Sequence, residues 1–179
     1  MLLGDGHIEL RSLTGNASFL YSQSADLLRH IDYFNHIFTL FKHYCALDFE
    51  PKIKFSTYKK TNKIYRSYTF APLSLPIFKE YRTLFFDRSN NKIITTELIS
   101  KLTFKSIAYW IMDDGSKHNE GLHLNTYGFS LDECQILMKG LENNFYLFCT
   151  IHHHKNRPRL YLNKSNLDYL RPQNFTIHT

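Results

Sequence analysis

Two neighbouring carboxylates, Asp113 and Asp114, close a segment whose apolar residues recur at helical spacing. These residues fall at i, i+3, i+4, i+7 and i+8, which predicts a helix with one apolar face. They are Phe104, Ile107, Ala108, Ile111 and Met112. The C-terminal end of a helix carries partial negative charge, so acids there are repelled unless a cation neutralises them. Gly115 can end the helix by taking a left-handed conformation. The alternative interpretation of the two acids is a surface Asp-Asp-Gly turn.

A second copy of this ending stands at the start of the chain. Residues 1–8 read MLLGDGHI, and aligning this segment with residues 112–115 places Asp5 opposite Asp114. A repeat of this kind predicts two related halves. If the two helix ends meet, the paired acids need divalent cations between them, and Mg²⁺ takes one or two carboxylates plus water and phosphate oxygens. Metals spaced ~3.5–4 Å apart favour phosphodiester hydrolysis, because they activate a water and stabilise the leaving oxygen.

The composition is that of a folded, basic protein. The chain has 179 residues, of which 43% are hydrophobic and 16% aromatic, enough for one sizeable core or two small halves. Lys and Arg exceed Asp and Glu by 22 − 16 = 6, which permits a polyanionic partner. Three scattered cysteines are expected to be buried thiols rather than a disulfide frame or a zinc site. No apolar run approaches the ~20 residues that cross a bilayer.

Periodicity and turn residues predict an α+β fold. In the first half we expect strands HIELRS and ASFLYSQS, a helix over about 25–47 capped by Ser24, two strands within 52–70, and a helix from Pro76 to about Phe86. In the second half we expect helix 103–114, a polar loop, strand GLHLNTYGF, a helix opened by the capping box Ser130 to Glu133, a hairpin around Lys155-Asn156 and a short helix from about Ser165. This predicts two pseudo-symmetric αββαββ(α) halves, 1–86 and 103–179, joined by a linker, 87–102.

The strands predict a nucleic-acid-binding face. Alternation would place Lys, Arg and Tyr on one exposed side of a saddle of antiparallel sheets, where they could contact phosphates and base edges. The candidates are Lys52, Lys54, Lys60, Lys63, Arg66, Lys117, Asn125, Lys155, Arg157, Arg159 and Tyr161. The run His152 to His154 lies on a predicted strand, so its residues face alternate sides and cannot all bind one metal. Histidines near DNA are the favoured interpretation over a zinc site.

The segments IAYWIMDDGSK and MLLGDGH resemble the paired motifs of single-chain LAGLIDADG homing endonucleases, especially the mitochondrial-intron type. The run LHLNTYGFSLDECQILMKGL also resembles that family's second half. The resemblance implies site-specific cleavage of both DNA strands by a monomer with internal pseudo-two-fold symmetry, with the two motif helices at its centre. It assigns Asp5 and Asp114 as the catalytic, metal-coordinating acids, with Gly4 and Asp113 beside the metal. Asp113 matches a variable position of the motif. Gly4 and Ala108 match the small residues through which the family's two motif helices contact each other. Two or three Mg²⁺ ions and mitochondrial origin are implied as well.

The sequence departs from the family pattern at both ends. The first motif helix is expected to begin before Met1, so that only its last turn stands here, and the C-terminus is shorter than expected. Candidates for the family's catalytic lysines are Lys60, Lys63, Lys117 and Lys155, each with an ordinary solvated lysine as the alternative. The alternatives for function are a binding protein on the same fold that does not cut, either an intron RNA maturase or a DNA-binding relic, and a plain basic globular domain.

Overall fold

The structure, a computed structural model, describes residues 1–10, 12 and 14–173, which group into two compact units. One unit comprises residues 5–82, and the other comprises residues 1–4 and the chain from Thr83 onward. None of the described helices is long and apolar enough to cross a membrane.

The 5–82 unit is built on a four-stranded antiparallel sheet. Its elements are β1 (His7–Leu10), β2 (Ala17–Ser24), α1 (Leu28–Phe41), a 3₁₀ turn (Lys42–Tyr44), β3 (Lys52–Tyr58), β4 (Lys63–Phe70) and α2 (Pro76–Phe85), which runs across its boundary. The strand order is β1-β2-β4-β3. The hairpin predicted within residues 52–70 is confirmed.

Aromatic side chains form the core of this unit. Phe19 and Tyr21 of β2 are buried, and the Tyr21 ring centroid lies 6.2 Å from that of Phe34 on α1. Phe70 of β4 lies in register with Tyr21, so it faces the same core. All residues of β3, by contrast, are exposed. The helix α1 therefore covers only the inner part of the sheet.

The predicted start of α1 is wrong. Ser24 does not cap this helix, which begins at Leu28 with Leu27 as an N-cap that makes no side-chain hydrogen bond. The Ser24 hydroxyl instead accepts a hydrogen bond from the backbone N–H of Asp26, at 3.3 Å. This local turn competes with the helix, as Ser side chains do near helix starts.

The second unit repeats the same sheet. Its elements are α3 (Thr96–Ser100), α4 (Phe104–Asp114), β5 (Gly115–His118), β6 (Gly121–Asn125), α5 (Leu131–Phe145), β7 (Cys149–His154), β8 (Arg157–Leu162), α6 (Lys164–Leu170) and a 3₁₀ turn (Arg171–Gln173). The strand order, β5-β6-β8-β7, matches that of the first sheet. The α+β fold with two repeated halves is therefore confirmed.

Capping boxes begin α4 and α5. Ser130 Oγ accepts from the Glu133 N–H at 3.2 Å, and Glu133 Oε2 accepts from the Ser130 N–H at 2.7 Å, as predicted. The other oxygen, Glu133 Oε1, accepts from the Ile94 N–H at 3.0 Å and so ties α5 to the segment before α3. Thr103 forms an equivalent box with Ser106.

Two expectations about the end of α4 are wrong. Gly115 is not left-handed but extended, with φ −74°. A glycine fits there because a Cβ would lie 2.3 Å from the Ile111 carbonyl oxygen. The expected polar loop after Asp114 is also a strand, β5, which pairs with β6 directly at the helix end.

Candidate functional site

The end of α4 carries the two adjacent acids in different environments. The Asp113 side chain is 0% exposed, and its Oδ2 lies 3.4 Å from the Met1 amino nitrogen. Residues 1–4 pack so closely here that a Cβ on Gly4 would lie 2.4 Å from Asp113 Cβ. Only glycine fits this contact, so Asp113 and Gly4 fix the approach of residues 1–4 to the helix end.

A turn before α3 brings a lysine to the same place. The N–H of Asp87 donates to the Asn91 carbonyl at 2.9 Å, and Phe86 pairs with Lys92 in an antiparallel bridge. Asn90, with φ 68°, makes the reversal possible. The turn positions Lys92 beside residues 1–4, where its Nζ donates a hydrogen bond to the Gly4 carbonyl oxygen.

Asp114 is electrostatically unfavourable as an anion. Burial is the main cause that raises the pKa of this carboxyl, and the negative charge of Asp113 adds to it, to about 6. The positive charges of Lys92 and of the N-terminal amine oppose the shift. The helix C-terminus disfavours negative charge as well. A carboxyl with a raised pKa beside a cavity is a candidate functional group, because a bound cation would stabilise its ionised form.

One cavity contains these groups. Asp114 and Lys92 share it with backbone, amide and aromatic groups from the turn before α3, from β6 and from the loop after β6. Its lining is Leu3, Gly4, Asn90, Asn91, Lys92, Asp114, Asn125, Tyr127, Gly128 and Phe129. The structure thus places Asn125, predicted to contact DNA, in the cavity of the acid.

The donors in this cavity fit a hard divalent cation. They are carboxylate, amide and carbonyl oxygens, which Mg²⁺ and Ca²⁺ prefer. Among the described residues no group of three or more His, Cys, Asp or Glu could hold a metal by itself. A cation at Asp114 would therefore draw ligands from water and from an anionic ligand, as Mg²⁺ does in open sites. Asp5, predicted as the second acid, is exposed and belongs to the 5–82 unit. Its pairing with Asp114 stays a prediction.

In the sheet of the 5–82 unit, three of the lysines predicted to bind DNA lie on one face. Register places Lys52 opposite Thr69, Lys54 opposite Ser67 and Lys63 opposite Tyr58, all on the face away from the aromatic core. Lys60 lies in the turn between β3 and β4.

Arg66 takes the opposite face. It lies opposite Phe55 in the register, and its Nε is 3.2 Å from Asp26 Oδ1. The structure thus separates Arg66 from the lysine face.

The second sheet gathers Arg157, Arg159 and Tyr161 on one face, as strand alternation predicts. Asn125 lies opposite Arg159 on that face, and Lys155 lies in the turn after β7. Lys117 pairs with Leu122 and so takes the other side of its strand.

Several residues at these sites were missed from the sequence. Lys92, Asn90 and Asn91 stand in the segment that was predicted as a linker. The turn-forming Asp and Asn residues were a signal for a reversal, but nothing in the local pattern connects Lys92 with Gly4. Tyr127, which lines the Asp114 cavity, was predicted to be part of a strand and given no role.

Known proteins resemble this chain over most of its length. The profile of the LAGLIDADG DNA endonuclease family matches residues 1–170. A probable intron-encoded endonuclease 1 of Wickerhamomyces canadensis is 39% identical over 93 residues, 48% of this chain and 39% of that protein. The cytochrome b mRNA maturase bI2 of Saccharomyces cerevisiae is 30% identical over 155 residues, 84% of this chain and 36% of that protein. The chain thus spans well under half the length of these two relatives.

Solved structures share the fold. The homing endonuclease I-WcaI, bound to its DNA recognition sequence, matches with a TM-score of 0.83 at 24% identity over 96% of this chain and 75% of that one. The N-terminal LAGLIDADG domain of DUF199/WhiA matches with a TM-score of 0.52 at 16% identity, over 98% of this chain and 81% of that one. At these identities the likeness shows the fold alone. The repeated acidic motif and the two four-stranded sheets of the same strand order agree with the family match over residues 1–170. The chain belongs to the LAGLIDADG DNA endonuclease family.

Proposed function

We propose that this chain is a site-specific DNA endonuclease of the homing type, which hydrolyses one phosphodiester bond in each strand of a duplex with a divalent cation. The observation that carries the proposal is the environment of Asp114. Its carboxyl has a raised pKa, lies in a cavity with Lys92 and ends a family motif helix. A surface Asp-Asp-Gly turn would have neither the burial nor the convergent lysine.

Asp114 and Asp5 are the acids proposed to hold the cation, which we take to be Mg²⁺. When bound, the cation would supply an activated water and charge stabilisation at the leaving oxygen. Asp5 is supported by its place in the repeated motif, where the sequence alignment sets it opposite Asp114. Gly4 and Asp113 act here as positioning residues, because the Gly4 carbonyl already accepts from Lys92 and the buried Asp113 packs against Gly4.

Lys92 is proposed to act on the scissile phosphate. Its ammonium group lies in the Asp114 cavity and lowers the pKa of that carboxyl. An ammonium group at this position attracts a phosphate and stabilises the negative charge that grows on it during hydrolysis. The candidates Lys60, Lys63, Lys117 and Lys155 are absent from the lining of this cavity.

The two sheets are proposed to hold the duplex. Lys52, Lys54 and Lys63 on one face, and Arg157 and Arg159 on the other sheet, would neutralise phosphates and supply affinity that falls with salt. Tyr161 and Asn125 lie among them and could reach base edges. Several relatives are named intron-encoded endonucleases, and others cytochrome b mRNA maturases. These names support the proposal that this protein is intron-encoded and of mitochondrial origin. The repeat of the four-stranded sheet within one chain supports the proposal that it acts as a monomer.

A second candidate is an intron RNA maturase on the same fold. The observation that favours it is the 30% identity with a cytochrome b mRNA maturase over 84% of this chain. The basic sheet faces would serve RNA phosphates as well as DNA phosphates.

The test is incubation of the protein with the intronless form of its host gene. With Mg²⁺ we expect cleavage of both strands at the intron insertion site, no cleavage in EDTA, and no cleavage by Asp5→Asn or Asp114→Asn. Asp32→Asn changes an exposed acid of α1 and serves as the matched control. Tight binding without cleavage, together with stimulated splicing of the host intron, would replace the endonuclease with the maturase.

A further inference from the structure

The face of the second sheet that carries Arg157, Arg159 and Tyr161 also carries a cluster of imidazoles. Its members come from three strands: His118 of β5, His123 of β6 and His152 of β7. The ring centroids of His118 and His123 are 4.3 Å apart, and those of His123 and His152 are 5.1 Å apart. We call these three residues the imidazole cluster.

Two of the three rings in the imidazole cluster are hydrogen-bonded to each other. His123 Nε2 and His152 Nδ1 lie 2.9 Å apart, so one of the two rings donates to the other. A protonated imidazole has only donors. The two rings therefore cannot both be protonated while this hydrogen bond lasts. Tyr161 stacks on His152 with centroids 4.7 Å apart, which fixes the ring of His152 against the sheet.

The strands that carry the imidazole cluster have positive charge and no carboxylate, while the exposed Glu120 lies in the turn between β5 and β6. The strands β5 to β8 contain no Asp or Glu. Arg159 lies on the same face, with its guanidinium 5.2 Å from the Tyr127 ring centroid. The hydroxyl of Tyr127 is 2.8 Å from His154 Nδ1, so a fourth imidazole adjoins the same face.

This environment disfavours the protonated forms of His123 and His154, whose pKa values are lowered. Burial lowers the pKa of His123, and the charges of His118, His152, Arg159 and His154 lower it further. The pKa of His154 is lowered by partial desolvation and then by Arg159 and Lys155. The counter-charge that would allow these rings to protonate is absent from all four strands of the sheet.

We propose that the imidazole cluster is a proton-linked phosphate-binding site, at which the sheet takes up protons when it binds the DNA backbone. A phosphate laid on this face supplies the missing counter-charge. It accepts hydrogen bonds from rings that can then protonate, and the His123–His152 hydrogen bond is replaced by two bonds to phosphate oxygens. The proposal rests on the proposed function, since it requires this sheet to bind DNA.

Linkage gives the sign of the effect. Protons bound on complex formation make the affinity rise as pH falls. For uptake of about one proton, the affinity should rise roughly tenfold per pH unit across the range in which histidine titrates. Arg and Lys remain charged throughout that range, so they contribute affinity without contributing to the slope.

The test measures the dissociation constant of the full chain for a duplex of arbitrary sequence, in EDTA and at constant ionic strength, between about pH 8 and about pH 6. The measurements use the Asp114→Asn background, because protonation of Asp114 would also relieve repulsion of the phosphates. We expect the slope described above, and we expect His118→Gln combined with His152→Gln to remove most of it. His43→Gln, an exposed histidine after α1, is the matched control and should keep the slope.

A second measurement does not depend on the double variant folding. Calorimetric titration of the full-length Asp114→Asn protein, with its histidines unchanged, counts the protons taken up when the same duplex binds in two buffers of different ionisation enthalpy. Uptake near about pH 7 is expected. The single variant His118→Gln, at an exposed position, should reduce that uptake. Binding with no proton uptake, or a slope that survives in the double variant, overturns the imidazole cluster alone. Failure to bind the duplex at any pH overturns the proposed function instead.

Discussion

Replacing Asp114 by Asn should stabilise the protein while it removes cleavage. The carboxyl has an ordinary pKa of 3.8 and a folded-state pKa of about 6, a difference of about 2.2 from 6 − 3.8. At 1.36 kcal/mol per pH unit this corresponds to about 3 kcal/mol for a fully buried group. Asp114 is half-buried and solvent screens part of the effect, so we expect the Asn variant to gain about 1–2 kcal/mol at alkaline pH.

The pH dependence gives the prediction its sign. Because the pKa is raised in the folded state, the folded protein binds this proton more tightly than the unfolded chain does. The charged carboxylate therefore destabilises the fold above pH ~6, and the penalty disappears as pH falls through the window between the two pKa values. The stabilising effect of Asn should shrink in parallel.

The assay is urea unfolding of both proteins in EDTA, at about pH 8 and about pH 4.5. The difference in the free energy of unfolding between variant and wild type is the measured quantity, with Asp32→Asn as a control that should show no such difference. Added Mg²⁺ should stabilise the wild type and leave the variant unchanged, because the cation binds the carboxylate. A variant that is less stable than wild type at alkaline pH, or a difference that does not change with pH, would refute the reasoning.

Three further predictions test the contacts around this site and on the sheets. Gly4→Ala should cost about 1–3 kcal/mol and reduce cleavage, because its Cβ would overlap Asp113; urea unfolding and a cleavage assay measure both, and an unchanged cleavage rate would contradict the positioning role. Ser130→Ala should cost about 1 kcal/mol of unfolding free energy by removing the cap of α5, with DNA affinity unchanged. Lys54→Ala should weaken duplex binding and reduce the salt slope by about 1, whereas Arg66→Ala should leave that slope unchanged; equal effects of the two would argue against the lysine face.

Local signals explain which parts of the fold could be predicted. The capping box at Ser130 and the hairpin at Lys155-Asn156 depend on a few adjacent residues, and both are confirmed. At Lys155 and Asn156 the φ angles are 50° and 62°, a turn that closes a two-residue hairpin. The strand β2 was predicted with the bounds that the structure gives it, Ala17–Ser24.

The missed elements depend on distant partners. The four residues of β5 have no apolar period, and the strand exists because β6 pairs with it. Lys92 reaches Gly4 across 88 positions of the chain, so no local pattern could connect them. The start of α1 was misplaced for a local reason, because Ser24 has two possible uses, a cap or a turn, and sequence does not choose between them.

The strand β3 is exposed along its whole length, so its side chains contribute little to the core. In β8, Leu160 and Leu162 are fully buried, so changes there affect both the core and the binding face. The strand β3 buries none of its residues, and its Lys52 and Lys54 can be exchanged without opening a cavity. Surface substitutions of this kind change stability by only about 0.5 kcal/mol. If the sheet binds DNA as proposed, β3 is the segment in which new contacts with the duplex can be introduced at little cost to the fold.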